Sequence, residues 1–292
     1  MPPLSPRSLP LTTQQLEYLV AIDRADTWAD AATAVGVSPS ALSQGIAELE
    51  RRLGVALFER DGRRRVPAPD HAEVLRYAEQ VVAATDDLAR WIARRRGGAT
   101  GTIRLGLIDA AATHHFRAAL RRFRDDHPEV DIHLTVGPSS GLLRSLRRSE
   151  LDLVGCVQPP ETPPGIDVAA VLDDPLAVLA PEDSDATSPA DWGPWVTFPS
   201  GSHTRRLIAD ALRSAGSAFD VVAESHQPEV LREMVLLDLG WTVLPLAGLG
   251  SLEGLRVVVP ELTSRRIVVA RRSGAPPDPT RDALATALLA AG

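Results

Sequence analysis

Residues 38–54 read Ser-Pro-Ser-Ala-Leu-Ser-Gln-Gly-Ile-Ala-Glu-Leu-Glu-Arg-Arg-Leu-Gly. Ser38 is a good helix N-cap, Pro39 suits the first helical position and Gly54 suits the end. Between them Leu42, Ile46, Leu49 and Leu53 are spaced by four, three and four residues, which makes one apolar stripe on a helix. The other face of its first half carries Ser40, Ser43 and Gln44, uncharged polar side chains able to reach base edges in a DNA major groove.

The surroundings supply the rest of a known arrangement. Upstream, Leu16, Leu19 and Val20 follow a helical rhythm, and Thr27 can cap a short alanine-rich helix that Gly36 ends. Two short helices around a tight turn, the second amphipathic, predict a helix-turn-helix. Downstream, Val55–Phe58 reads as a strand, Asp61-Gly62 as a hairpin turn and Arg63–Val66 as the returning strand. This ribbon would be a wing holding Arg60, Arg63, Arg64 and Arg65 against phosphates. A plain three-helix domain with a solvated arginine loop is the alternative, and the order and spacing of the pieces favour DNA binding, with Thr27, Ser38, Pro39, Ser40, Ser43 and Gln44 at the interface.

Charge adds nothing to that reading. The net charge is −7, lysine is absent, and residues 1–98 carry as many arginines as carboxylates. The signal is local.

Asp70–Arg96 reads as one long helix. Val74, Ala78, Val81, Thr85, Leu88 and Ile92 alternate steps of four and three, a heptad seam that predicts a homodimer through Val74, Val81, Leu88 and Ile92, with packing on its own domain as the alternative. A glycine-rich hinge follows at 98–101. From Thr102 strands and helices alternate: strands at 103–108, 132–136 and 151–157, helices at 111–126 and 142–148, and then a second set running from 176–180 to 279–290. This predicts parallel sheets with crossover helices, in two α/β lobes with a small-molecule cleft between them.

The length of 292 residues suits two domains. No apolar run reaches membrane-spanning length and Met1–Pro10 lacks a signal-peptide core, so a short leader and a cytoplasmic protein without membrane contact are expected. The single cysteine, Cys156, reads as a buried small side chain rather than a redox sensor. His114 and His115 would point roughly 100° apart on a helix and cannot readily share a metal. There is no glycine-rich phosphate loop, nucleophile elbow or paired set of metal ligands, so no catalytic residue, metal or cofactor is assigned and the chain is not expected to be an enzyme.

The chain resembles the LysR-type transcriptional regulators over essentially its full length. In the head the resemblance rests on Leu16, Tyr18, Leu19, Ala31-Ala32, Val37-Ser38, Ala41-Leu42-Ser43, Ile46, Leu49-Glu50, Leu53-Gly54 and Leu57-Phe58-Glu59-Arg60. Further on it rests on Ile103-Arg104-Leu105-Gly106, Phe123, His127-Pro128, Leu151-Asp152, Phe198-Pro199 and the run Gly240 to Pro245. The resemblance implies a winged helix-turn-helix domain (1–69), a linker helix (70–97), the hinge (98–101) and an effector domain (102–292) similar to type 2 periplasmic binding proteins. Its lobes would be 102–172 with 265–292, and 173–264. It also implies a homodimer or homotetramer on double-stranded DNA, a small-molecule effector between the lobes and control of a nearby promoter, with RNA polymerase as a candidate further partner. The matching cleft loops offer Asp109, Ala110, Ser139, Ser140, Ser200, Ser202, His203 and Thr242, of which Ser139 and Ser202 are the favoured anion contacts. Three places depart from the pattern. Gln44-Gly45 replaces a more basic or longer polar pair, either admitting the DNA backbone or reflecting drift; Ala110 replaces a hydroxyl; and Val66-Pro67-Ala68-Pro69-Asp70-His71 replaces the usual linker entry. A solute-binding protein with a vestigial head is the competing function.

Overall fold

The computed structural model describes residues 11–62, 64–97 and 101–292, with the backbone alone at 94–97. Arg63, the leader Met1–Pro10 and hinge residues 98–100 lie outside the described residues. The chain divides into two compact units, Met1–Arg90 and Trp91–Gly292.

In the first unit, helices α1 (Thr13–Arg24), α2 (Trp28–Ala34) and α3 (Pro39–Leu53) enclose Leu19, Ala31, Leu42, Ile46 and Leu49. Each helix starts on a hydroxyl cap: Thr12 in a reciprocal pair with Gln15, then Thr27 and Ser38. Gly54 ends α3 at φ 73°, a left-handed conformation that glycine adopts without strain. The wing is the antiparallel pair β1 (Phe58–Asp61) and β2 (Arg64–Pro67).

The first wing strand therefore starts three residues later than expected from the apolar run at Val55. The reason is Glu50, whose carboxylate accepts from the Leu57 and Phe58 backbone N–H groups at 2.8 and 3.0 Å. Those donors are capped by a side chain, and the chain turns there while Leu57 drops into the core.

Helix α4 (His71–Gly97) runs 27 residues. The expected seam is split between two faces. Val74, Leu75, Ala78 and Val82 pack on the core of the head. Tyr77, Val81 and Leu88 are 57%, 41% and 51% exposed, and with exposed Ala84 they form a row at steps of four, three and four. Thr85 is exposed with its hydroxyl on the Val81 carbonyl, and Ile92 is half-buried. The apolar spacing marked both faces, and only Val81 and Leu88 of the expected contact residues fall in the exposed row.

The second unit contains a six-stranded sheet in the order β4-β3-β5-β10-β6-β9. Strands β3 (Thr102–Leu107), β4 (Asp131–Val136) and β5 (Leu153–Val157) are parallel, as the pattern predicts. The departure lies in β6 (Ile166–Pro181) and β10 (Leu255–Arg272), long strands that pair antiparallel with each other, while β10 also runs antiparallel to β5 and β6 to β9 (Thr242–Pro245). Apolar runs mark only residues 176–180 and 267–271 of them, because both strands carry charged residues midway. Strands β7 (Trp195–Thr197) and β8 (Val221–Glu224) form a separate parallel pair.

The two long strands pass through two apolar cores. One holds Ile103, Leu105, Phe123, Leu142, Leu146, Ile267 and Leu284, bringing in α5 (Arg117–Asp126), α6 (Ser139–Arg147) and α9 (Pro279–Leu289). The other holds Leu176, Leu179, Trp195, Ile208, Leu212, Leu231 and Val243, bringing in α7 (His203–Ala215) and α8 (Pro228–Leu236). Breaks in register at Val257/Val259, Val259/Thr263 and Ile267/Val268 let β10 bend along this path. The helix expected over 111–126 is interrupted by a wide turn at Ala111–His115, in which Phe116 N–H bonds the Ala111 carbonyl at 2.9 Å. The extra residue turns Phe116 into the core.

Gly45 has an internal reason that the sequence alone does not reveal. A Cβ there would lie 2.5 Å from Cδ2 of Tyr18 on α1, so glycine is what lets α3 seat against that ring. Gly45→Ala is expected to destabilise the head by about 1 kcal/mol net, overpacking of about 1–3 kcal/mol exceeding the gain in helix propensity. Urea unfolding followed through the head's transition tests this; a stabilised variant would mean that glycine is not needed for packing.

Candidate nucleic-acid interface and ligand cavity

The head's polar residues come together as a surface. Ser38, Ser40 and Gln44 are exposed on the first half of α3, with Ser43 half-buried behind them. Part of this set also builds the helix ends. Ser38 Oγ accepts from Ala41 N–H at 3.2 Å and contacts Ser40 Oγ at 2.9 Å, while Thr27 caps α2 through Asp30 N–H at 3.1 Å. Gln44 is the long exposed polar side chain among them. On the wing, Arg60 stands opposite Arg65 and Asp61 opposite Arg64, and all three arginines are exposed. Like charges facing each other across a ribbon repel unless an anion sits between them. The Arg65 guanidinium lies 4.3 Å from the ring centre of Trp28, a platform that sequence reasoning missed. Trp28 in turn stacks edge-on with Phe58 at 5.0 Å, so α2 positions the wing.

In the second unit a cavity of about 610 Å³ lies between the parts of the fold that belong to the two apolar cores. Its wall includes Asp109, Ala110, Ser139, Ser140, Ser200, Ser202 and His203, seven of the eight residues the cleft loops offered. Thr242 does not line it: the residue is fully buried on β9, because that strand is covered by the second core on both faces. Ser139 Oγ is engaged by Val157 N–H at 3.3 Å, and Ser202 Oγ caps α7 through Arg205 N–H at 3.4 Å. Both favoured hydroxyls are therefore committed to backbone, and what they present at the cavity wall is a held helix start.

Asp109 and His203 were foreseen at the wall, but the arginine there was not. Arg265, 3% exposed, lines the cavity from β10. Its Nε donates to Asp174 Oδ2 at 2.9 Å, Nη2 stands 2.8 Å from the same oxygen, and Nη1 donates to Thr204 Oγ1 at 3.4 Å. His115 Nε2 lies 3.4 Å from that carboxylate oxygen. Arg265 and Asp174 face each other in the β6–β10 register, and exposed Arg266 and Asp173 pair beside them at 2.8 Å. Burial alone would push the Asp174 carboxyl up, but His115 and Arg265 together hold it below the ordinary range. Burial opposes the charge on Arg265, and the guanidinium still stays ionised at any ordinary pH. A sequence signal did exist: the adjacent pairs Asp173-Asp174 and Arg265-Arg266 fall between the apolar runs of each strand.

Asp109 is raised, first by burial and then by the neighbouring Glu229 carboxyl, with Arg265 opposing. A ligand cation at this end of the cavity would relieve two carboxylates at once. His203 is lowered by burial, against the pull of the Val157 carbonyl and with the help of Arg206, which favours the neutral imidazole. Cys156 is fully buried and its thiol is pushed up to about 12, the behaviour of a packing residue. Among the described residues no cluster of three metal-binding side chains occurs, and no helix is long and apolar enough to cross a membrane.

Comparison with known proteins places both units. A sequence model described as "Bacterial regulatory helix-turn-helix protein, lysR family" matches residues 13–70, and one described as "LysR substrate binding domain" matches residues 96–292. The HTH-type transcriptional regulator IlvY of Escherichia coli (strain K12) is 30% identical over 252 residues, covering 83% of this chain and 82% of that protein. Among solved structures, ArgP from Mycobacterium tuberculosis shares the fold at a TM-score of 0.67 and 18% identity, covering 96% of this chain and 97% of that one. Full-length CbnR complexed with its target DNA does so at 0.58 and 17%, covering 97% and 100%. With both units matching one family, the solute-binding alternative has no support.

Asp174→Ala leaves a buried guanidinium uncompensated and should cost the second unit about 3–5 kcal/mol, much of it recovered in the Asp174→Leu/Arg265→Met double variant. Because the folded carboxyl is depressed, the stabilisation is complete above about pH 4 and drains as pH falls through the folded value. Calorimetry of wild type and variant from pH 7 to pH 3 tests this; an unchanged difference across that range would refute it.

Proposed function

The chain belongs to the LysR family of bacterial transcriptional regulators, and on that premise we propose how its residues divide the work. The protein is a ligand-responsive DNA-binding regulator. In this reading residues 1–69 bind DNA, 70–97 join two copies, 98–101 act as a hinge and 102–292 hold a small molecule that leaves chemically unchanged. The lobes would be 102–172 with 265–292, and 173–264, in a cytoplasmic homodimer or homotetramer.

The observation that carries the reading is the exposed polar face of α3 beside an arginine ribbon. Gln44 and Ser40 would read base edges, Arg60, Arg64 and Arg65 would hold phosphates, and Ser38 and Thr27 would fix the helix starts that aim them. A head with balanced charge attracts DNA weakly in general, so affinity must come from pairing heads. The row Tyr77, Val81, Ala84 and Leu88 is the surface for that pairing, with Ile92 next along the helix. An effector in the 91–292 unit can change DNA affinity only by binding one arrangement of the lobes better than the other.

Gel shifts of the full chain with DNA from upstream of its own gene test this. Gln44→Ala should cost about 1–3 kcal/mol at the preferred site and little elsewhere, whereas Arg64→Ala should weaken all sequences evenly and flatten the salt dependence. Val81→Asp/Leu88→Asp should make the protein monomeric by ultracentrifugation and lower operator affinity at least tenfold. A dimer that persists in that variant would remove the exposed row from the interface.

A further inference from the structure

Beside the ligand cavity lies a second hollow of about 410 Å³. Its walls come from Ser140, Arg144 and Arg147 on α6, His203 and Arg206 on α7, and a proline-rich segment that includes Glu161. Ser140, Arg144 and His203 line both spaces, so the two are neighbours with a shared wall. Helix α6 is anchored in one apolar core by Leu142, Leu143 and Leu146, and α7 in the other by Ile208 and Leu212. The hollow thus brings together guanidinium groups carried by the two lobes.

Arg144 and Arg206 are exposed, and among the described residues neither has a carboxylate partner. Arg117, Arg121 and Arg124 on α5 share that lack but line a different hollow from one core, whereas Arg144 and Arg206 come from helices anchored in the two different cores and line the same one. In a chain with a net charge of −7, carboxylates are not scarce. Glu161 is the single carboxylate in a wall that also holds Arg144 and Arg206, so the hollow keeps a positive excess. Like charges on two lobes favour their separation, and an oxyanion between them reverses the sign of that interaction. The planar fork of a guanidinium suits the paired oxygens of such an anion.

We propose that this hollow binds a phosphate-sized oxyanion between Arg144 and Arg206 and so clamps the two lobes together. Its chemistry is that of a phosphate, either free inorganic phosphate or the phosphoryl group of a larger ligand whose remainder occupies the neighbouring cavity. Binding of the free anion does not depend on what the larger cavity binds, whereas the ester alternative rests on the reading of that cavity as a ligand site; neither depends on how the head reads DNA.

The test is thermal unfolding of the full chain in sodium phosphate, against sodium chloride of equal ionic strength. A saturable rise of about 2–4 °C is expected with phosphate. A parallel arm compares glycerol 3-phosphate with an equimolar mixture of glycerol and inorganic phosphate. A larger rise with the ester assigns the site to the phosphoryl group of a larger ligand, and an equal rise assigns it to the free anion. The variant Arg144→Gln/Arg206→Gln should lose the response. Arg206→Glu places a carboxylate beside Arg144, so it should melt higher than wild type in chloride and also lose the response. The proposal is overturned if wild type shows no rise beyond chloride, or if the rise survives in both variants. Operator binding by the glutamine variant, measured alongside, keeps that outcome separate from any failure of the DNA-binding assignment.

Discussion

Asp174 and Arg265 meet where two long antiparallel strands pass from one apolar core to the other. Isolated buried charges cost several kcal/mol each, so neither could sit there alone. The ladder removes that difficulty by bringing them opposite each other in register, and Thr204 and His115 add contacts from α7 and from the wide turn before α5. The strand pair can therefore cross a polar gap without fraying. Arg265 is also part of the wall of the ligand cavity.

The head relies on a tighter economy. With Tyr18 against Gly45, helix α3 seats close to α1, and the polar half of α3 is left outside. Glu50 then fixes where the wing begins, and Trp28 supports the arginine at the returning strand. Together these contacts set how α3 and the wing are placed relative to each other.

Charge is distributed with the same logic. The chain is acidic overall, yet arginines stand at the cleft walls, Arg265 paired with Asp174 and Arg144 and Arg206 around the smaller hollow. Near Asp109 and Glu229 the cavity carries the opposite sign.

How much of this could be read beforehand depended on the kind of information involved. The helix-turn-helix, the wing, the long helix and the parallel strands β3, β4 and β5 follow from periodicity, caps and turn residues, and those are local properties. Seven of the eight cleft residues followed from the family resemblance, because loops at strand ends keep their order. Other features needed the tertiary structure. Strands β6 and β10 hide behind Asp173, Asp174, Arg265 and Arg266, whose pairing partners lie about ninety residues away. The seam of α4 divides between a core face and an exposed face, and Thr242 is a core residue of β9. By itself the sequence determined the helix-turn-helix, the wing, the long helix, the parallel strands and the family they compose, since period and capping act within a few residues. Only the tertiary structure decided which face of α4 is left exposed, why residue 45 is glycine and where the charges converge, because each of these is settled by a neighbour distant in the chain.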